Sequence, residues 1–255
     1  MVIKKLFLCS FVLTAVACSH QASNNDGTNV STSFNEEEFI PPTNNDRVFN
    51  SSFSNITNYY WVGMFGDVNK ISVKIQEMKE DKTVTGFSVA AGNIRPFKGT
   101  YTNTNNKIFS FSVKEPGDDK YDGAFSFTIR NKMLKGNWKP FDASSTTPKT
   151  FTLLPRIFKY NPKAGDSYTS VKILKESDVN NLTKEELRYM RSEIYARHGY
   201  AFKMKDIRRE FDYVSWYMPV SVDVRKDLTD IENKNIALIN RYEKYAKEYY
   251  DDYGR

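Results

Sequence analysis

The sequence predicts an α+β chain of more than one domain: an antiparallel β-meander of eight strands that closes into a barrel, followed by a small three-helix C-terminal domain. Three observations lead there. The hydrophobic period is 2 up to about residue 156 and 3.6 beyond about residue 181. Helix-capping chemistry occurs only in the later stretch. The chain, 255 residues with 40% hydrophobic and 15% aromatic side chains, has enough apolar material for a packed core. The expected organisation is a signal segment at 1–17, an anchor and tether at 18–46, the β domain at 47–156, a connector at 157–180 and the helical domain at 181–255.

Each strand is read from alternation bounded by turn residues. The candidates are Tyr59–Phe65, Lys70–Glu77, Thr83–Val89, Phe97–Thr102, Lys107–Lys114, Tyr121–Ile129, Met133–Trp138 and Lys149–Leu154. Ile71, Val73 and Ile75 alternate with Ser72, Lys74 and Gln76; Phe109, Phe111 and Val113 alternate with Ser110, Ser112 and Lys114. The segments Lys79–Lys82 and Asn103–Asn106 are polar turns, and Asn131-Lys132 suits a two-residue hairpin loop. A weak repeat sets Phe97-Lys98-Gly99-Thr100-Tyr101 beside Leu134-Lys135-Gly136-Asn137-Trp138. Glycine before an inward aromatic fits a sheet that bends or admits a neighbouring backbone, and regular bends favour closure. In architecture alone this half is lipocalin-like; an open sheet packed on the C-terminal domain is the alternative.

At the N-terminus, Lys4 and Lys5 precede the apolar stretch Leu6–Val16, and Ala15-Val16-Ala17 puts small residues before Cys18. This resembles a bacterial lipoprotein signal. The resemblance implies cleavage before Cys18 and acylation of that cysteine, palmitate being the expected fatty acid, and so a cell-envelope protein of the outer membrane. The Ala15 position departs from the leucine usual in that family, and a plain secretory signal with Cys18 left free is the alternative. Cys9 lies in the removed peptide, which leaves no pair for a disulfide. Residues 19–46 are rich in Ser, Asn and Thr and include Pro41-Pro42, which reads as a tether with an r.m.s. span of roughly 30 Å. Phe39 and Ile40 are its only support for an alternative, a docked strand.

Charge narrows the partners. The chain has 37 Lys+Arg against 31 Asp+Glu; without Lys4 and Lys5 the net charge is +4, too dispersed for a nucleic-acid partner. The expected partners are a membrane through the anchor, and a cell-wall glycan, an envelope protein or an apolar ligand held in the barrel.

The helical signals start at Thr183-Lys184-Glu185-Glu186, a capping box, and stop at Gly199. A short helix is expected over Asp206–Tyr213, an aromatic loop at Ser215–Pro219, and a last helix opened by the second box Thr229-Asp230-Ile231-Glu232 and running to Tyr249. The stretch Glu193-Ile194-Tyr195-Ala196-Arg197-His198-Gly199-Tyr200, with Phe211, Trp216-Tyr217, Leu228 and Glu232-Asn233 downstream, resembles the YARHG domain, a family of bacterial extracytoplasmic domains named for its pentapeptide. The similarity covers about 172–243 and implies a location and a fold rather than a reaction; Ser192 stands where members commonly have Asn. Helical spacing sets His198 on the stripe of Leu187, Met190 and Ile194, close to the helix C-terminus, with Arg197 and Glu193 on one flank and Tyr195 on the other. On the last helix Ile231, Asn235, Leu238, Tyr242, Tyr245 and Tyr249 share a face, so Asn235 or a backbone carbonyl is the expected partner of His198. The pentapeptide reads as a helix stop and core lock, with ligand binding the alternative.

Catalytic constellations are hard to assemble. Of two histidines, His20 lies in the tether and His198 in the helix, and there is no Gly-x-Ser-x-Gly elbow. One usable histidine is too few for zinc, and no cofactor motif occurs. The acidic stretch Glu115–Gly123 lacks the oxygen ligands of an EF-hand at Lys120 and Ile129 and reads as a solvated hairpin loop. The expected function is a binding or structural envelope lipoprotein without catalysis; the alternative is a glycan hydrolase using Glu115 or its neighbours.

Overall fold

The structure is a computed structural model and describes residues 53–117, 121–144 and 146–249. The signal segment, Cys18, His20 and the tether, with Phe39 and Ile40, lie outside the described residues. No helix among the described residues is long and apolar enough to cross a membrane.

A short helix α1 (Phe53–Asn58) leads into eight strands: β1 (Tyr60–Phe65), β2 (Asn69–Met78), β3 (Thr83–Ala90), β4 (Asn93–Thr104), β5 (Ile108–Lys114), β6 (Gly123–Arg130), β7 (Met133–Pro140) and β8 (Lys149–Arg156). Each pairs antiparallel with the next, and β8 returns to β1 from Phe65↔Phe151 to Tyr60↔Arg156, closing the barrel. The open sheet is therefore excluded. Closure removes both sheet edges, and with them the unpaired backbone that an open meander would present. Alternation along the strands turns one face inward, as in β5, where Phe109, Phe111 and Val113 are buried. The hairpin Asn131-Lys132 has both residues at positive φ, +50° and +56°, as a primed turn requires.

Aromatic rings fill the barrel. Phe111 stacks on Phe127 with centroids 4.7 Å apart, Tyr101 packs against Phe109 and Phe111, and Phe65, Phe125 and Phe151 form a second group. Trp61 is fully buried and its Nε1 donates to the Ile56 carbonyl at 3.4 Å, which ties α1 to the start of β1. The repeated glycines have a steric reason: a Cβ on Gly136 would stand 2.3 Å from the Ser126 carbonyl oxygen, and one on Gly99 2.0 Å from that of Ser112. Strands approach there more closely than a side chain allows.

Beyond β8 come a single 3-10 turn at Glu176–Asp178 and helices α2 (Lys184–Arg197), α3 (Lys205–Phe211) and α4 (Asp230–Tyr249). Their apolar clusters are separate from that of the barrel: Leu187, Ile194, Ile236 and Ile239 in one, Phe202, Ile207, Phe211 and Tyr217 in another. Polar chemistry joins the two regions. The Lys70 ammonium leaves β2 to donate to the carbonyls of Val214 (2.5 Å) and Tyr217 (3.1 Å), and Arg156 donates to the Ser215 carbonyl at 2.6 Å. Burial pulls the Lys70 ammonium down to about 8 and pushes the Asp212 carboxyl up to about 6.

The buried face of α4 differs from the expected one. It carries Glu232, Asn235, Ile236, Ile239 and Ala246, while Tyr245 is exposed. The helix is turned so that the capping carboxylate of Glu232 faces inward, a position that a purely apolar stripe would not assign.

Candidate functional site

The pentapeptide lies at the end of α2. Thr183 caps the start of this helix: its hydroxyl accepts from the Glu186 amide at 3.3 Å while the Glu186 carboxylate accepts from the Thr183 amide at 2.7 Å. The far end closes as a Schellman turn, with the Gly199 amide donating to the Ala196 carbonyl (2.9 Å) and the Tyr200 amide to that of Tyr195 (3.1 Å). Gly199 has φ +74°, and a Cβ there would come within 2.4 Å of the Val220 side chain. The positive φ makes Gly199 the helix stop, and the Val220 side chain leaves no room for a larger residue there.

Arg197 is the hub. Its guanidinium, fully buried, donates through Nε to the Ala164 carbonyl (2.7 Å) and through one amino group to the hydroxyls of Thr169 (2.7 Å) and Ser170 (2.9 Å). The other amino group donates to the Ser167 carbonyl (2.6 Å) and to Glu193 (2.8 Å), one turn back on the same helix. Glu193 also accepts from the amides of Asp166 (2.7 Å) and Ser167 (3.0 Å) and from the Ser167 hydroxyl. A buried ion pair is tolerable where its remaining donors and acceptors are all met, as here.

His198 is 7% exposed, stacks on Tyr160 with ring centroids 4.3 Å apart, and its Nε2 lies 2.8 Å from the Glu232 carboxylate. The expected partner Asn235 sits one turn further along α4 and is used otherwise: it accepts from the Leu174 amide and donates to the Thr169 and Lys172 carbonyls. Glu232 takes the histidine because the second capping box already turns its carboxylate inward, where it accepts from the Thr229 amide (2.8 Å), the Ser170 hydroxyl (2.6 Å) and the Tyr160 hydroxyl (3.1 Å). Burial alone would raise the Glu232 carboxyl, but the bonds from His198, Ser170 and Thr229 outweigh it and hold it down to about 2. With a folded-state value below the usual carboxylate range, the stability it contributes is present above about pH 4.5 and is lost as the pH falls towards 2.

Two networks thus share Ser170, one centred on Arg197 and the other on Glu232, and together they fasten the 160–175 segment to α2 and α4. That segment had been expected to act as a connector. Tyr160, Ser167, Thr169 and Ser170 are the residues that sequence reasoning passed over, since hydroxyls in a stretch without periodicity carry no signal of burial. Gly165 belongs with them, because a Cβ there would stand 1.9 Å from the Glu193 carboxylate.

The remaining motif residues lie further out. Tyr195 is half-buried between the two apolar clusters, with Tyr200 beside it. Tyr217 is buried against Phe211 and Phe202, its hydroxyl donating to the Tyr200 carbonyl at 2.7 Å, and burial pushes its phenol up. Trp216 is half-buried and borders a cleft of about 520 Å³ with Phe158, Tyr160, Asn161 and Arg197.

The acidic stretch was expected to be a solvated loop; Pro116, Gly117 and Tyr121 are exposed, but its acidic ends are buried. Glu115 is 4% and Asp122 7% exposed. The Glu115 carboxylate accepts from the Trp138 indole and the Gly123 amide, both at 2.9 Å, and Asp122 pairs with Arg95. Burial pushes the Glu115 carboxyl up. These bonds clamp the base of the β5–β6 hairpin; residues 118–120 of the stretch lie outside the described residues. No group of three or more His, Cys, Asp or Glu among the described residues could hold a metal ion.

Compared with known proteins, residues 167–244 match the family model of the YARHG domain, so the C-terminal part of this chain carries that domain. Its start at residue 167 takes in the hydroxyl-bearing residues that bind Arg197. No curated protein and no solved structure matches the chain.

Proposed function

We propose that the chain is a lipid-anchored protein of the bacterial envelope that binds a ligand or partner and does no chemistry on it. One observation carries this reading: the guanidinium and the imidazole of the pentapeptide are both engaged in internal bonds, Arg197 with five backbone and side-chain oxygens besides Glu193, and His198 with Glu232 beneath Tyr160. A histidine so held, 7% exposed with Nε2 on a carboxylate and its ring on Tyr160, is poorly placed to meet a substrate. The aromatic filling of the closed barrel supports the same reading, and glycan hydrolysis through Glu115 loses ground because its carboxylate is engaged by Trp138 and Gly123. The YARHG match speaks for an envelope or extracellular module. The small residues before Cys18 support lipid attachment at that cysteine.

Fractionation of cells expressing the parent and Cys18→Ser tests the anchor. The parent is expected in the membrane fraction and the variant in the soluble fraction, with both retained on isolated envelope material. Identical fractionation removes the lipid; failure of the parent to bind envelope material removes the binding role.

A further inference from the structure

The end of the barrel where β1 meets β2 and β3 meets β4 opens into a cavity of about 450 Å³, within the size range of small-molecule sites. Its floor is the last layer of the barrel interior: Phe65, Ile71, Phe125 and Trp138, with Phe65 packed edge-on against Trp138 at 5.7 Å. Its rim is basic. Lys149 comes from the start of β8 with its ammonium 5.8 Å from the Phe65 ring centre, Arg95 from β4, and Lys203 and Arg208 from the helical region. Arg208 is held by the Asn69 side chain and the Lys203 carbonyl, and Arg95 by Asp122. The ammonium groups of Lys149 and Lys203 make no hydrogen bond or ion pair among the described residues. Glu115 also borders the cavity, with its carboxylate engaged by Trp138 and Gly123.

An apolar, aromatic floor below a basic rim fits one kind of occupant. Desolvating the floor favours an apolar body, and the two ammonium groups have no counter-charge among the described residues, a place that an acid would fill. We infer that the barrel mouth binds a small organic anion with an apolar or aromatic body, its acidic group between Lys149 and Lys203 and its body on Phe65, Phe125 and Trp138. This rests on the reading of the chain as a binding module and gives that reading a ligand class. Lys203 comes from the YARHG region, so occupancy at the mouth would bridge the barrel and that domain.

The test uses the full chain carrying Cys18→Ser, which has no acyl chain to take up a probe. Anilinonaphthalene sulfonate is titrated by fluorescence, with its uncharged parent N-phenylnaphthylamine as the control for apolarity alone. The expected result is one site that binds the anion at least about tenfold more tightly than the neutral compound. Lys149→Glu with Lys203→Glu should remove that preference while the melting temperature stays that of the parent. Raising salt from about 0.05 to about 0.5 M should weaken the anion and leave the neutral compound unaffected. Displacement by decanoate marks a fatty-chain ligand and displacement by naphthoate a ring acid; either supports the inference. Equal binding of the two probes, or full anion binding by the double variant, overturns it. Retention on envelope material is scored on the same proteins. Retention without charge-selective probe binding rejects the mouth alone, whereas loss of retention by the parent rejects the binding role beneath it.

Discussion

Arg197→Ala is expected to destabilise the helical region by about 3–5 kcal/mol, the cost of removing one partner from a buried ion pair. The loss has two parts. Glu193 would keep its bonds from Asp166 and Ser167 but stay buried without a counter-charge, and the Ala164 carbonyl with the hydroxyls of Thr169 and Ser170 would lose their donor. Arg197→Lys should recover little, since one ammonium cannot reach oxygens spread around the three nitrogens of a planar guanidinium. Urea unfolding followed by circular dichroism measures this as a lower midpoint. A midpoint equal to that of the parent would mean that the network is ornamental.

Phe111→Ala is expected to cost the barrel about 3–5 kcal/mol, because Phe111 is 2% exposed and loses both the stack on Phe127 and the contact with Tyr101. Its neighbours belong to a closed ladder and cannot slide inward without breaking register, so the cavity should persist. The apolar cluster it leaves shares no member with those of the helices. Phe111→Ala and Arg197→Ala should therefore add in the double variant to within about 0.5 kcal/mol. Urea denaturation with Trp61 and Trp138 reporting on the barrel and Trp216 on the helical region checks both. A large coupling would show that the two regions share their stability.

The barrel was legible because its code is local. A period of two, Asn-rich turns and glycines before inward aromatics each report on a few consecutive residues, and they locate all eight strands within a few residues of their ends. Closure was less legible, because the pairing of β1 with β8 joins residues some ninety positions apart and no local pattern encodes it. At the site, the Schellman end at Gly199 and the capping box at Thr183 could be read directly. The partner of His198 could not: Glu232 already had a local role as a capping residue, and helical spacing cannot show that one carboxylate serves the cap and the histidine together. The same limit hid Ser167, Thr169 and Ser170, whose engagement depends on Arg197 arriving from a helix about thirty residues away. Glu115 looked solvated because it stands among acids and glycine, whereas its burial comes from the Trp138 indole on a distant strand.

The claim that the pentapeptide locks the fold rather than performing a reaction is tested most directly by the thermal midpoint of His198→Ala. Removing the ring leaves a cavity beside Tyr160 and takes one partner from the buried Glu232 carboxylate, a loss of about 1–3 kcal/mol, or at least about 4 °C in a domain of this size. That fall is the expected result, with envelope retention unchanged at temperatures where the variant is folded. A variant that melts with the parent but no longer binds envelope material would contradict it and make His198 a contact residue.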